Sequence, residues 1–177
     1  MSALRIYHEQ DTVDLLFGSH NNISIRRKLA EIGVCYEQWP IASQLPAQLT
    51  SETVLAAYQA DIKRIQAREG YQQVEVIGAP LDKPRGTDLS EHSHSEDEVY
   101  FFVAGEGLFS LHVQQRVYEV HCRQGDFIRI PAHTLHWFDM GDKPNLIALR
   151  LYNTPDGAAL NYSDNPIAER FNRLENA

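Results

Sequence analysis

The sequence predicts a mainly β fold, an antiparallel barrel with helices packed outside it, on three observations. Six short runs with apolar residues in alternation follow one another between residues 98 and 152, separated by glycine, proline or polar turns. The first eighty residues instead carry apolar positions three and four apart, the spacing of helices that lie on a sheet. Between these regions the stretch LDKPRGTD, residues 81–88, is too rich in proline, glycine and aspartate to be either, and reads as a loop.

Each element follows from its local pattern. A first helix is expected around Ile23 to Ile32, stopped by Gly33. A second begins near Ser51, which can cap it; Val54, Leu55, Tyr58, Ile62 and Ile65 form its apolar stripe, and Gly70 ends it. From Tyr71 the period changes to two in YQQVEVIGA. The expected barrel strands are Glu98 to Val103, Gly107 to Val113, Arg116 to His121, Phe127 to Pro131, His136 to Asp139 and Asn145 to Tyr152. The chain thus divides into a helical N-terminal part (1–80), a barrel core (81–153) and a polar C-terminal tail (154–177) within a single domain.

Composition narrows the function. A formal charge of -8 without any lysine- or arginine-rich run argues against nucleic acid, whose binding rests on phosphate neutralisation. No apolar run approaches the ~20 residues of a membrane span, and the N-terminus lacks the apolar stretch of a signal peptide, so a soluble, cytoplasmic monomer is expected. Cys35 and Cys122 lie far apart and outside any metal-binding pattern; both are expected to be reduced and structural. A small-molecule substrate is the natural partner class.

The informative segment is Gly86-TDLSE-His92-Ser-His94-SED-Glu98-VYFFVA-Gly105. If strand geometry persists, His92, His94, Glu98, Tyr100 and Phe102 share one face, and three of these five can ligate a metal. Singly, a histidine in a strand is more often a surface or hydrogen-bonded residue; the set argues for a metal site. The fourth ligand comes from Pro131-Ala-His133-Thr-Leu-His136, where His136, at the start of a strand, is preferred to His133. Imidazole and carboxylate suit Fe(II), Ni(II), Mn(II) or Zn(II), and four ligands leave two positions open on an octahedral ion. Open positions mean chemistry. His112 and His121 are expected on strands away from the metal.

Glycine, five residues, HxH, three residues, Glu, six residues, glycine is the first cupin motif, matched here without a gap. Gly125, Pro131 and His136 match the second, with His133 where glycine is usual and Met140 where asparagine is common. More narrowly, EHSHSEDEVYFFVAGEGLF and PAHTLHWFDMG resemble the acireductone dioxygenase family, and the resemblance extends over nearly the whole chain. It implies a cupin barrel (a double-stranded β-helix) and one metal ion held by His92, His94, Glu98 and His136. The ion would be Fe(II) or Ni(II), with Co(II) or Mn(II) as further candidates. It also implies oxygen-dependent cleavage of acireductone, 1,2-dihydroxy-3-keto-5-methylthiopentene, in methionine salvage. With Fe(II) the family's products are a keto acid and formate; with Ni(II) they are a methylthio acid, formate and carbon monoxide.

That chemistry assigns further residues. An enediol must ionise before it meets oxygen, and Arg150, the charged residue of an apolar strand, is the candidate cation for the resulting dianion. Phe102, Trp137, Phe138 and Leu149 are candidates for an apolar wall around the substrate's tail. By resemblance, Glu91 and Asp97 aid metal loading and relay local changes. Tyr100 stands where the family commonly has arginine; a phenol can donate a hydrogen bond to substrate but carries no fixed positive charge. Rival readings are a cupin dioxygenase acting on another enediol or diketone and a non-enzymatic metal-binding cupin. A sugar-phosphate isomerase would want a cationic pocket, and HTLHWF is apolar.

Overall fold

The structure, a computed structural model, describes residues 1–41, 44–78 and 89–174; the loop expected over 81–88, with Gly86, lies outside them. The chain opens not on a helix but on a hairpin, β1 (Ala3–His8) and β2 (Asp11–Ser19). Leu4 and Ile6 face the core while Arg5 points out, an alternation too short to announce itself. What makes it a strand is distant: β1 pairs residue for residue with the segment from Arg116 to His121.

Helix α1 (Asn22–Ala30) follows, capped by the Asn21 side chain, which accepts from the Ser24 amide, and it buries Ile25 and Leu29. A short strand, β3 (Cys35–Gln38), comes next. The expected second helix is two, α2 (Ser51–Ala57) and α3 (Gln59–Glu69), joined at Tyr58, whose backbone leaves the helical region. Its cap is Thr50 rather than Ser51, through a reciprocal capping box with Thr53. The stripe nevertheless runs through both helices, burying Val54, Tyr58, Ile62 and Ile65. Gly70 ends α3 in the left-handed conformation, with φ 82°.

Nine tenths of the remaining order is strand: β4 (Gln73–Gly78), β5 (His92–Ser93), β6 (Glu98–Ala104), β7 (Glu106–Val113), β8 (Arg116–Arg123), β9 (Asp126–Ile130), β10 (Leu135–Asp139), β11 (Ile147–Tyr152) and β12 (Asn161–Tyr162). They form two antiparallel sheets, ordered β12-β5-β10-β7-β8-β1-β2 and β3-β9-β6-β11-β4. Leu4, Phe109 and Tyr118 of the first sheet meet Phe102, Ile128 and Ala148 of the second in the central core. Helices α2 and α3 cover the outer face of the five-stranded sheet, against Phe101, Phe127, Leu149 and Leu151.

The C-terminal tail is an integral part of the fold. β12 extends the seven-stranded sheet beside β5, and a 3-10 turn (Pro166–Arg170) brings Ile167 and Phe171 onto Tyr7, Val117 and Trp137 on that sheet's outer face. There the Asn172 side chain and the Leu174 amide donate to the buried carboxylates Glu119 and Asp139. Among the described residues no helix is long and apolar enough to cross a membrane.

Candidate metal centre

Three strands, β5, β6 and β10, and the turn after β5 bring the candidate ligands together. β5 presents His92 opposite His136 of β10. His94 follows at the start of the turn into β6, and Glu98 opens β6. All four side chains are buried, and one ligand atom from each of His92, His94 and His136 lies within 4.8 Å of the other two. Glu98 Oε1 lies 3.4 Å from Nε2 of His94 and 3.4 Å from Nε2 of His136.

Backbone carbonyls fix the rings. Nδ1 of His92 is 2.7 Å from the Ser90 carbonyl, Nδ1 of His94 is 3.0 Å from that of Ala159, and Nδ1 of His136 is 2.8 Å from that of Thr134. A carbonyl only accepts, so each Nδ1 carries the proton and each Nε2 presents a lone pair. Burial, then the neighbouring His136, pushes His92 down to about 4, and burial likewise lowers His94, so these rings are neutral, as ligands must be. Burial opposes ionisation of Glu98, but the Arg150 guanidinium beside it holds the carboxyl well below its usual range. Its Oε1 is buried with no hydrogen-bond partner among the described residues. Three lone pairs and an unpartnered carboxylate oxygen converging on one point are what a divalent cation requires.

Around this set the other candidate residues separate. Arg150 is no surface ion pair: it is buried, with Nη2 2.7 Å from Glu98 Oε2 and Nη1 3.0 Å from Glu75. The Tyr100 hydroxyl lies 3.3 Å from the same Glu98 oxygen, and its ring packs edge-on to Phe109. Phe138 faces inward, stacked on Phe109 at 4.2 Å, with Phe102 beside it. Trp137 and Leu149 do not join the site. Each is one residue from an inward-facing neighbour, so strand alternation turns Trp137 toward Phe171 and Leu149 toward the helices.

His133 is exposed, with a left-handed backbone at φ 63°, and its amide donates to the His94 carbonyl. It occupies the turn conformation that glycine usually fills in the motif, and it closes that turn. Asp97 ties the same turn down by accepting from the Ala132 amide. Glu91 is held by Ser163 and, at 2.6 Å, by His112, which lies outside the donor set, as expected, yet reaches the residue beside it. That contact depends on cross-strand register, which no local pattern carries.

A two-sheet antiparallel fold with HxH starting on a strand of one sheet, Glu at the start of a strand of the other and a third histidine opposite the first defines a metal-dependent cupin. The family model of the ARD/ARD' family matches residues 4–159. The chain is 45% identical over 178 residues to an acireductone dioxygenase of Alcanivorax borkumensis, covering 98% of both chains. It is 43% identical over 180 residues to one of Stutzerimonas stutzeri, covering 99% of each. It also superimposes, with TM-score 0.72 and 27% identity over 92% of this chain and 98% of the other, on an acireductone dioxygenase from Bacillus anthracis with a cadmium ion in its active centre. The chain belongs to the acireductone dioxygenase family, and it is an enzyme, a metal-dependent dioxygenase.

Proposed function

We propose that the chain holds one Fe(II) or Ni(II) ion through the Nε2 atoms of His92, His94 and His136 and the carboxylate of Glu98, and with it cleaves acireductone using dioxygen. The observation carrying this is Glu98 Oε1, buried and unpartnered, 3.4 Å from two imidazole nitrogens. Co(II) and Mn(II) suit the same donors. When bound, the ion supplies Lewis acidity that lowers the pKa of a coordinated enediol hydroxyl and clamps two substrate oxygens.

The protein's own groups do the rest. Arg150 gives the site a permanent positive charge; its N–H groups are taken up by Glu98, Glu75 and Ala158, so it acts on a substrate dianion through its field. The Tyr100 hydroxyl, whose one proton goes to Glu98 Oε2 at 3.3 Å, turns that proton to a substrate oxygen when substrate binds. Phe138 and Phe102 form the apolar wall for the methylthio tail and exclude water. Glu91 and Asp97 brace the segments that carry the ligands and assist metal loading.

In this reading the metal sets the products: 4-methylthio-2-oxobutanoate and formate with Fe(II), or 3-methylthiopropanoate, formate and carbon monoxide with Ni(II), within methionine salvage. The proposed assembly is a monomer, and two free cysteines fit a reducing, cytoplasmic setting. The test is product analysis after aerobic turnover of acireductone by metal-free protein reloaded separately with each ion. Absence of turnover with either ion, despite one ion bound per chain, would overturn the substrate assignment. Tyr100 favours a second reading, a dioxygenase with the same ligands acting on another enediol or diketone; oxygen uptake with acireductone against such analogues separates the two.

A further inference from the structure

Glu91 immediately precedes His92, and its carboxylate is buried and held at both oxygens. Oε1 lies 2.6 Å from Nδ1 of His112, while Oε2 accepts the hydroxyl of Ser163. The His112 ring continues to a second acid, with Nε2 2.8 Å from Glu9 Oε2. Glu9 is itself anchored, its amide donating to the Gln115 carbonyl in the turn between β7 and β8. One imidazole therefore spans two carboxylates, one in the turn between β1 and β2 and one at the entry to β5.

β5 needs such an anchor. It is two residues long, with a single ladder position on β10 and two on β12. So few backbone bonds leave His92 and His94 weakly fixed in height against His136. His112 stands on β7 opposite Leu135, the residue before His136, while Leu111, opposite His136 itself, faces the core. The ring thus ties the segment that carries two candidate ligands to the strand pair that carries the third, without entering the donor set. Hydrogen bonds to carboxylates are the stronger class, and partners that orient ligands change metal affinity by about 10- to 100-fold.

We propose that His112 is a positioning residue for the metal centre, clamping Glu91 against Glu9 so that His92 and His94 are held facing His136. The inference rests on the ligand set proposed above.

The test titrates metal-free parent, His112→Leu, His112→Gln and Glu9→Gln with Co(II) against a competing chelator. The visible Co(II) spectrum and the unfolding transition of each metal-free protein are recorded alongside. His112→Leu is expected to bind about 10- to 100-fold more weakly with a changed Co(II) spectrum. His112→Gln, which keeps one donor, regains part of the affinity, and Glu9→Gln shows a smaller loss in the same direction. A folded His112→Leu with the parent's affinity, or one whose weaker binding only tracks lower metal-free stability while the spectrum is unchanged, overturns the clamp. Should His112→Leu not fold, Glu9→Gln decides, and parent affinity there overturns it equally. A parent that binds no Co(II) removes the ligand assignment itself, whereas a parent and variant that bind alike remove the clamp alone.

Discussion

Arg150 and Tyr100 stand directly opposite each other on β11 and β6, and both direct a polar group at one atom, Glu98 Oε2, at 2.7 and 3.3 Å. Burial works against the Arg150 charge, but Tyr100 and Glu98 beside it raise its pKa, so the cation is permanent. Removing one partner of a buried pair strands the other charge. Arg150→Met is therefore expected to destabilise the metal-free protein by about 3–5 kcal/mol. A cation at the three imidazoles would restore a partner to Glu98, so saturating metal should recover part of that loss. Denaturant unfolding with and without Ni(II) checks both halves; a deficit that metal leaves untouched would argue that Glu98 is not a ligand.

Tyr100 permits a finer test, because the phenol and the arginine common in the family differ in charge and not only in size. Tyr100→Phe removes the hydroxyl while keeping the ring against Phe109. If the hydroxyl meets a substrate oxygen, kcat/KM should fall about tenfold, the scale of one hydrogen bond to a charged group, with metal content unchanged. Tyr100→Arg should retain or raise activity on acireductone, since the added charge serves the same dianion. Steady-state kinetics on both variants, with metal analysis, decide between them.

What could be read from the sequence was whatever depends on local spacing. His92 and His94 point one way because side chains alternate along an extended chain, but that geometry does not persist to Glu98: bends at Ser95 and Glu96 break the strand and carry Glu98 onto the other sheet. Val54 to Ile65 line one side because helices turn every 3.6 residues. What escaped was set by distant partners. β1 is a strand because β8, more than a hundred residues later, accepts it in register. Which of Phe102, Trp137, Phe138 and Leu149 face the site depends on strand parity, and Trp137 and Leu149 fall on the opposite face because a one-residue change of parity reverses a strand. The Ala158 and Ala159 carbonyls that receive Arg150 and His94 leave no mark in sequence, since every residue has one. The C-terminal segment therefore read as a polar tail while supplying part of the site.

The parity of β10 gives a third prediction. Phe138 faces the same interior as His136, and Trp137 packs on Phe171 at 5.9 Å beyond the opposite face. Trp137→Leu should cost about 1–3 kcal/mol of stability and leave KM and metal content at the parent's values. Phe138→Leu should raise KM for acireductone by about tenfold, because it reshapes the wall the apolar tail meets. The opposite pattern, with KM following Trp137, would mean that the tail lies outside the inter-sheet core.

The imidazoles of the candidate metal centre also make the metal-free protein sensitive to acid. His92 is lowered to about 4 from the ordinary 6.5, chiefly by burial and secondarily by His136, and His94 is lowered as well. A ring that resists protonation when folded but accepts a proton when unfolded gives a stability that is full above the unfolded pKa and declines as pH falls toward the folded one. For His92 alone the loss amounts to about 3 kcal/mol between roughly pH 6.5 and pH 4. Urea unfolding of metal-free protein across that range should show the decline, and His92→Phe should flatten it. Bound metal should steepen the same curve, because protons and metal compete for the same lone pairs. A metal-free protein as stable near pH 4 as near pH 7 would mean that His92 and His94 are not held neutral in the fold, and with that the preformed donor set would be lost.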